Sequence, residues 1–487
     1  MRTLRPIVAL VTVLSCSKPA AAPPAPNADA TIARITAGLR PGIVVRGAPP
    51  ATFSLAERMA HYKVPGVSIA VVDSGRIVWA RGYGLKETGT ADSVTPATLF
   101  QAASISKPVA ATAMLHLVDE GKLSLDTPVN EYLTSWKLPD NKFTATEKVT
   151  LRRIASHSAG LTVHGFPGYA VTDSLPTVPQ LLDGRKPANT AAVRVDTFPG
   201  AISRYSGGGT TIEQLVMSDV TGEAFPALVK RLVLDPIGMT NSGYDQPLPT
   251  AKRGQEAAGY RPDGSMISGR WHIYPEMAPA GLWTTPSDLL KWAIEIGAAR
   301  AGKSTKVLSQ KAATEMLTRQ KGEYGVGPAL HGADSAFYFE HGGANEGFRA
   351  QVMYFPALGR GAAVMTNSDA GSALAKEILL SLAAEYQWPG YAPKEIVTVA
   401  MDSAALEGYA GAYTTASPMK VNATIVREGA RLYVSEPQFI PRTELLFVSA
   451  HTAIAPETGM ELTFATDGKG RVDRLEVGGM VLQRGRK

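Results

Sequence analysis

The chain has 487 residues, of which 45% are apolar and 19% are charged, so it is long enough for two or three globular domains. Its net charge of +6 is modest over this length, and acidic residues are interspersed with the basic ones. Because the sequence has no basic block and no face that combines aromatic with basic residues, it does not indicate a nucleic-acid-binding protein.

The first fifty residues indicate an export signal followed by a linker. Arg2 and Arg5 precede an apolar stretch, residues 7–14, that is far too short to span a bilayer. The only cysteine, Cys16, follows, and the segment resembles a bacterial lipoprotein signal; an ordinary secretory signal with an incidental cysteine is the alternative. We expect a signal peptide over 1–15, an Ala/Pro-rich tether over 16–50, and a periplasmic protein with a membrane tether through lipidated Cys16.

The folded pattern begins near Ala51, with a helix predicted over 54–62 and a hairpin formed by the β-prone runs 67–72 and 77–83. Strand patterns return at 336–340, 348–355 and 361–366, before a helix over about 370–386. Two early and three late strands around a helical middle predict one sheet completed by both ends of a domain over 51–390. The predicted fold class is α/β (α+β), an antiparallel sheet flanked by helices with a helical subdomain.

The composition changes after Trp388-Pro389-Gly390. Short alternating strands between residues 409 and 483 are separated by turn signals such as Glu428-Gly429. This pattern predicts a small all-β domain over 400–487, a barrel or a sandwich.

Ser104 and Lys107 stand before an amphipathic run, residues 109–120, that predicts a helix. Lys107 would then lie one turn from Ser104 on the same face. A lysine whose pKa is lowered by burial can act as the base for a serine nucleophile, and a helix N-terminus favours an oxyanion. A serine N-cap followed by a surface lysine is the alternative for this pair taken alone.

Three further patterns join this pair. Tyr205 precedes three glycines, 207–209, and a phenol whose pKa is lowered by a nearby lysine can hold or pass a proton. His341-Gly342-Gly343 lies at the start or edge of a predicted strand, where an open N–H could complete an oxyanion hole. Residues 154–161, which include His157, predict a helix that ends in a loop and shapes the cleft. Taken singly, each pattern is also compatible with an ordinary turn.

In this order, Ser104-x-x-Lys107, Tyr205-x-Gly207 and His341-x-Gly343 resemble the three motifs of serine β-lactamases and penicillin-binding proteins. The likeness is to the branch of class C β-lactamases, D-aminopeptidases and related esterases, and it runs over roughly residues 53–388. The segment from about 400 to 487 resembles the lipocalin-like β-domain that is often appended to such hydrolases.

The resemblance implies that Ser104 is the acylated nucleophile, Lys107 the base or partner of the base, and Tyr205 a member of the proton relay. It also implies an oxyanion hole made by the Ser104 N–H and an N–H of the third-motif strand. The residues that would line the substrate are Gly207, His341, Gly342 and Gly343. Gly207 replaces the asparagine that contacts a substrate amide in this family, and His341 replaces a lysine, so the resemblance favours ester substrates.

We therefore predict an exported serine hydrolase that forms a Ser104 acyl-enzyme on ester, amide or β-lactam carbonyls of a small molecule or short peptide. It would need no cofactor and no metal, since the eight histidines include no His-x-x-x-His pair. A conventional α/β-hydrolase is disfavoured because the sequence has no Gly-x-Ser-x-Gly elbow. The alternative is a non-catalytic penicillin-binding or sensor-like protein with the same fold. The sequence does not fix the oligomeric state.

Overall fold

The structure is a computed structural model that describes residues 28–415, 421–436 and 440–485. Its helices are α1 (Ala28–Ala37), α2 (Leu55–His61), α3 (Ser106–Asp119), α4 (Val129–Tyr132), α5 (Leu151–Ala155), α6 (Val178–Asp183), α7 (Gly207–Thr221), α8 (Phe225–Val229), α9 (Met277–Ala280), α10 (Pro286–Arg300), α11 (Gln310–Met316), α12 (Gly371–Glu385) and α13 (Ser403–Leu406). The strands up to residue 396 are β1 (Ile43–Val45), β2 (Gly66–Asp73), β3 (Arg76–Gly84), β4 (Phe100–Gln101), β5 (Trp283–Thr284), β6 (Ala329–His331), β7 (Tyr338–Asn345), β8 (Phe348–Phe355), β9 (Arg360–Thr366) and β10 (Lys394–Ile396).

A six-stranded antiparallel sheet organises the larger part of the chain, in the order β3-β2-β9-β8-β7-β6. The N-terminal hairpin joins the C-terminal strands directly, with Val67 opposite Thr366. This confirms the prediction of one sheet completed from both ends. The strand β2 is buried on both faces, as expected of a central strand that reads as a continuous apolar run.

Helices cover both faces of this sheet. On one face α1, α2 and α12 pack against residues such as Val67 and Val364. On the other face α3 and α10 pack against Ala70 and Ala363, and this second core continues into the helical middle of the chain. The site described below lies on the second face, where α3 begins.

The segment before residue 51 differs from the predicted tether over 16–50. Residues 28–37 form α1, whose Ile32 and Ile35 are buried in the core beside α12. Strand β1 pairs in parallel with β10, Ile43 opposite Lys394. Helical spacing of buried apolar side chains therefore outweighs the Ala/Pro-rich composition in this part of the chain. Residues 16–27, with Cys16, lie outside the described residues.

The C-terminal part forms a nine-stranded antiparallel sheet that is nearly closed and barrel-like, in the order β14-β13-β12-β11-β19-β18-β17-β16-β15. Its strands are β11 (Gly411–Thr415), β12 (Val421–Glu428), β13 (Arg431–Glu436), β14 (Ile440–Glu444), β15 (Leu446–Phe447), β16 (Thr452–Ala455), β17 (Met460–Thr466), β18 (Val472–Val477) and β19 (Met480–Arg484). Alternate side chains fill its own core, which includes Tyr413, Phe447 and Phe464. The all-β prediction is confirmed.

A buried polar cluster joins the barrel to the outer face of the larger part. Glu457, in the turn between β16 and β17, accepts a hydrogen bond from Arg58 Nη2 at 2.8 Å and one from the hydroxyl of Tyr62. Arg58 Nη2 also donates to Glu377 Oε1 of α12 at 2.6 Å. The barrel thus docks on α2 and α12, across the sheet from α3.

Within residues 28–415, 421–436 and 440–485, no helix is both long enough and apolar enough to cross a membrane.

Candidate active site

Ser104 lies in a tight 3₁₀ turn, Ala103–Ile105, that leads directly into α3. The residue before it, Ala103, has φ +49°, a region that residues with a Cβ rarely adopt. The turn is fixed from behind, since Ala102 N–H donates to Leu282 O at 2.8 Å. Backbone strain of this kind persists only where the surroundings determine it, and it recurs at active sites.

Lys107 reaches Ser104 from the first turn of α3, as the sequence predicted. Its Nζ lies 2.9 Å from Ser104 Oγ and 2.9 Å from the carbonyl oxygen of Pro279, which belongs to α9. Burial of the ammonium lowers the pKa of Lys107 to about 7, and the nearby carboxyl of Glu213 acts in the opposite direction. At neutral pH a large fraction of Lys107 is therefore uncharged and able to accept the Ser104 proton.

Tyr205 completes the group around the nucleophile. The Lys107 Nζ lies 4.8 Å from the centroid of the Tyr205 ring. Burial raises the pKa of Tyr205 above its ordinary value, while the neighbouring Ser104 side chain lowers it. The expected net lowering of this pKa is thus wrong, because desolvation outweighs the opposing effect of Ser104.

The third motif lies inside β7, on the strand edge that faces the Ser104 turn. His341 and Gly343 point to the buried side, and a Cβ on Gly343 would lie 2.1 Å from Ala102 O. Only glycine allows this approach of the strand to the turn. Gly342 faces the other side of β7, where an added Cβ would meet Gln351 Oε1 at 2.9 Å, so its main chain alone is available to the site.

The imidazole of His341 is neutral over most of the pH range. Burial and the Lys107 charge lower the pKa of His341 to about 4. Its Nδ1 lies 2.7 Å from the carbonyl oxygen of Gly342, so Nδ1 carries the proton and donates. Its Nε2 is buried and has no hydrogen-bond partner among the described residues. An unpaired acceptor is thus left beside Lys107 and Tyr205.

Steric crowding around position 207 explains why a glycine occupies it. Gly207 is the first residue of α7, and a Cβ there would lie 2.6 Å from Cε2 of Phe166. The Phe166 ring therefore occupies the space in which an asparagine side chain would start. Next to it, a Cβ on Gly208 would meet Val193 Cγ2 at 2.7 Å. The glycine run therefore lets α7 pack against the loop over 162–166.

Sequence reasoning did not identify Glu213. It lies on α7, one turn and a half beyond Gly207, with 1% of its surface exposed. Burial raises the pKa of Glu213 to about 8, and Lys107 acts in the opposite direction. Its Oε1 has no hydrogen-bond partner among the described residues. The sequence feature that points to it is an acidic residue among the apolar residues of a helix, because burying an unpaired charge is costly.

No group of three or more His, Cys, Asp or Glu side chains in the described ranges could hold a metal ion.

The sequence model of the beta-lactamase family matches residues 54–385, more than half of the chain. The chain belongs to the beta-lactamase family. The match covers Ser104, Lys107, Tyr205 and the third motif at His341.

Two curated relatives illustrate the sequence similarity. The chain is 26% identical over 237 residues to Protein flp of Staphylococcus aureus (strain N315), covering 48% of this chain and 44% of that protein. It therefore spans less than half the length of the first curated relatives that it matches. It is 27% identical over 353 residues to Penicillin-binding protein 4 of Amycolatopsis lactamdurans, covering 67% of this chain and 87% of that protein.

Two solved structures illustrate the similarity of fold. The octameric penicillin-binding protein homologue from Pyrococcus abyssi superposes with a TM-score of 0.60 at 21% identity, covering 88% of this chain and 98% of its own. D-amino acid amidase from Ochrobactrum anthropi SV3, complexed with L-phenylalanine, superposes with a TM-score of 0.55 at 22% identity, covering 68% and 94%. At these identities the likeness shows the fold, which is that of β-lactamases and transpeptidases.

Proposed function

We propose that this protein is an exported serine hydrolase that works through an acyl-enzyme on Ser104. The observation that carries the proposal is the 2.9 Å contact between Ser104 Oγ and the buried Lys107 Nζ. Because the pKa of Lys107 is lowered to about 7, the lysine can take the serine proton near neutral pH.

The proposed reaction follows from this arrangement. Lys107, directly or through the Tyr205 hydroxyl, accepts the proton as Ser104 Oγ bonds to the substrate carbonyl carbon. The oxyanion is held by the Ser104 N–H and a main-chain N–H of β7. When the tetrahedral intermediate collapses, the bond to the leaving group breaks and the proton passes to that group through Tyr205. Water then attacks the carbonyl carbon of the acyl-enzyme and gives its proton to Lys107 along the same path. The bond from that carbon to Ser104 Oγ breaks, Oγ takes the proton back, and the acid is released.

Short esters are the proposed substrates. An asparagine at 207 would offer an amide-reading group, but Phe166 fills that volume, as judged from its 2.6 Å distance to a Cβ at 207. A neutral His341 also attracts a substrate carboxylate less strongly than a lysine would. Both features support aryl or short-chain esters over β-lactams and peptides.

Active-site labelling tests the proposal. The purified protein would be incubated with a fluorophosphonate probe and with a fluorescent penicillin, beside Ser104→Ala and the surface control Ser135→Ala. We expect labelling of the wild type and of the control, and none of Ser104→Ala. Folded wild-type protein that neither probe labels at Ser104 would refute the proposal.

Turnover then separates the hydrolase from its alternative. We expect p-nitrophenyl acetate to be hydrolysed with a higher kcat/KM than nitrocefin. Stable penicillin labelling without turnover of any ester, amide or β-lactam would instead indicate the penicillin-binding, sensor-like protein.

We also propose export and anchoring through Cys16, which is supported by Arg2, Arg5 and the apolar residues 7–14. Labelling of expressing bacteria with a palmitate analogue should mark the wild type and not Cys16→Ser. Labelling of neither, with the protein secreted free, would indicate an ordinary secretory signal.

A further inference from the structure

His157 lies directly beneath the ring of Tyr205. The two ring centroids are 4.1 Å apart with an interplanar angle of 36°, and Tyr324 contacts the His157 ring edge-on at 4.6 Å. Only 3% of the surface of His157 is exposed. The histidine is thus enclosed between two tyrosines, and the ring of one of them, Tyr205, lies 4.8 Å from Lys107 Nζ.

His157 also holds the main chain on both sides of Tyr205. The N–H of Arg204 donates to the carbonyl oxygen of His157 at 2.7 Å. The N–H of Ser206 donates to Nδ1 of His157 at 3.3 Å. His157 therefore accepts hydrogen bonds from the peptide N–H groups of the residues before and after Tyr205, and it also packs against the Tyr205 ring.

The protonation of His157 suits this arrangement. Because Nδ1 accepts a hydrogen bond, the proton of the neutral ring is on Nε2. Burial and the neighbouring Lys107 and His341 keep the pKa of His157 well below its usual value. The acceptor at Nδ1 is therefore preserved throughout the pH range in which the enzyme would work.

The backbone of His157 adopts an uncommon conformation. Its φ is +54°, a region that few residues other than glycine adopt. Asparagine, aspartate and histidine are all enriched there, so the backbone angle alone does not select histidine. The contacts with Arg204, Tyr205 and Ser206 provide the reason.

We propose that His157 is a positioning residue for Tyr205: it fixes the main chain and ring of Tyr205 so that the side chain is held beside Ser104 and Lys107. The inference rests on the proposed function, since it assigns a role in the proton relay. It goes beyond the cleft-shaping role expected from the sequence, because it predicts that substitutions of His157 change catalysis only through Tyr205.

Substitutions at 157 separate the hydrogen bond from the bulk of the ring. His157→Gly removes the ring and the acceptor but accepts the backbone angle. His157→Asn also accepts that angle and keeps an oxygen at the place of Nδ1, whereas His157→Gln carries its oxygen one methylene too far. His331→Asn is the matched control, because His331 also stacks on a tyrosine, Tyr338, at 5.1 Å, away from the site. Circular dichroism and melting would confirm that each variant is folded.

The expected readout is a split between kcat and KM for an ester that the wild type hydrolyses. A displacement of a catalytic group by about 1 Å can cost about 100-fold. We expect His157→Gly and His157→Gln to lose about 10- to 100-fold in kcat with KM changed less than about 3-fold. His157→Asn and His331→Asn should stay within about 5-fold of the wild type. If His157→Gly does not fold, the comparison of asparagine with glutamine decides.

A double-mutant cycle with Tyr205→Phe isolates the route of the effect. If His157 acts through Tyr205, His157→Gly should cost less than about 2-fold more in the Tyr205→Phe background. Full additivity, or a His157→Asn variant as slow as His157→Gly, would overturn the inference. Failure of the proposed function is distinguishable, because the wild type itself would then show neither Ser104 labelling nor ester turnover.

Discussion

The pH dependence of acylation reports the buried pair Lys107 and Glu213. An ordinary lysine has a pKa of 10.5, and that of Lys107 is lowered to about 7, a difference of about 3.5 units. At pH 7 the uncharged fraction of Lys107 is thus about one half, compared with roughly 1 in 3000 for an ordinary lysine. We expect kcat/KM for an ester to rise with pH through about 7 and then level. His341, with its pKa lowered to about 4, is already neutral there and does not contribute this limb.

Glu213→Gln tests which form of the acid faces Lys107. Because burial raises the pKa of Glu213 to about 8, the acid is largely protonated at pH 6, and glutamine copies its uncharged form. We therefore expect the acid limb of kcat/KM to stay within about 0.3 pH units of the wild type. An ionised Glu213 would instead favour the ammonium form of Lys107, and its removal would move the limb to lower pH by about one unit.

The assay is a stopped-flow or steady-state profile of kcat/KM from pH 5 to 9 on the wild type, Glu213→Gln and Glu295→Gln. Glu295 is the matched control, because it is also buried on a helix but bonds to Ser304 Oγ at 2.7 Å. Its profile should coincide with that of the wild type. A limb that moves by about one pH unit in Glu213→Gln would refute the uncharged state assigned to Glu213.

Three further predictions concern the packing around the site and the docking of the barrel. Gly343→Ala puts a methyl group 2.1 Å from Ala102 O, so the Ser104 turn must shift. We expect kcat/KM to fall by at least about 100-fold, because the nucleophile is misplaced, and near-normal rates would contradict this. Gly207→Asn should destabilise by about 1–3 kcal/mol in urea unfolding, and Phe166→Ala should relieve it; an unchanged midpoint would count against the clash. Glu457→Gln should cost about 1–2 kcal/mol of stability yet leave ester kcat/KM within about 2-fold; a larger kinetic loss would connect the barrel to catalysis.

The parts of the fold that the sequence predicted are those that local rules determine. The hairpin at 73–76 follows from two β-prone runs around a short turn, and its strands extend over Gly66–Asp73 and Arg76–Gly84. Likewise, Thr285 accepts a hydrogen bond from the Asp288 N–H and Pro286 begins α10, a helix start that local capping rules determine. Ser104 and Lys107 could be paired because a helix places them one turn apart.

The remaining features depend on contacts that are distant in sequence. The pKa of Tyr205 was predicted in the wrong direction because its burial depends on side chains from several separate segments, among them His157 and Tyr324. Phe166 explains Gly207 only once the loop over 162–166 is folded onto α7. The Ala/Pro-rich composition predicts a tether over 16–50, because composition alone does not show that α1 packs beside α12 or that β1 pairs with β10.

The place of the site in the sheet follows from the unequal lengths of two strands. Strand β6 pairs with β7 only from Tyr338 to Glu340, so among the described strands none covers the same edge of β7 from His341 onward. Main-chain groups on an uncovered edge remain free to bind another chain or a ligand. The Ser104 turn approaches this edge closely because Gly343 has no side chain. A longer β6 would close the edge, and any side chain at 343 would separate it from the nucleophile. The oxyanion hole that we propose therefore requires both a short strand and a glycine.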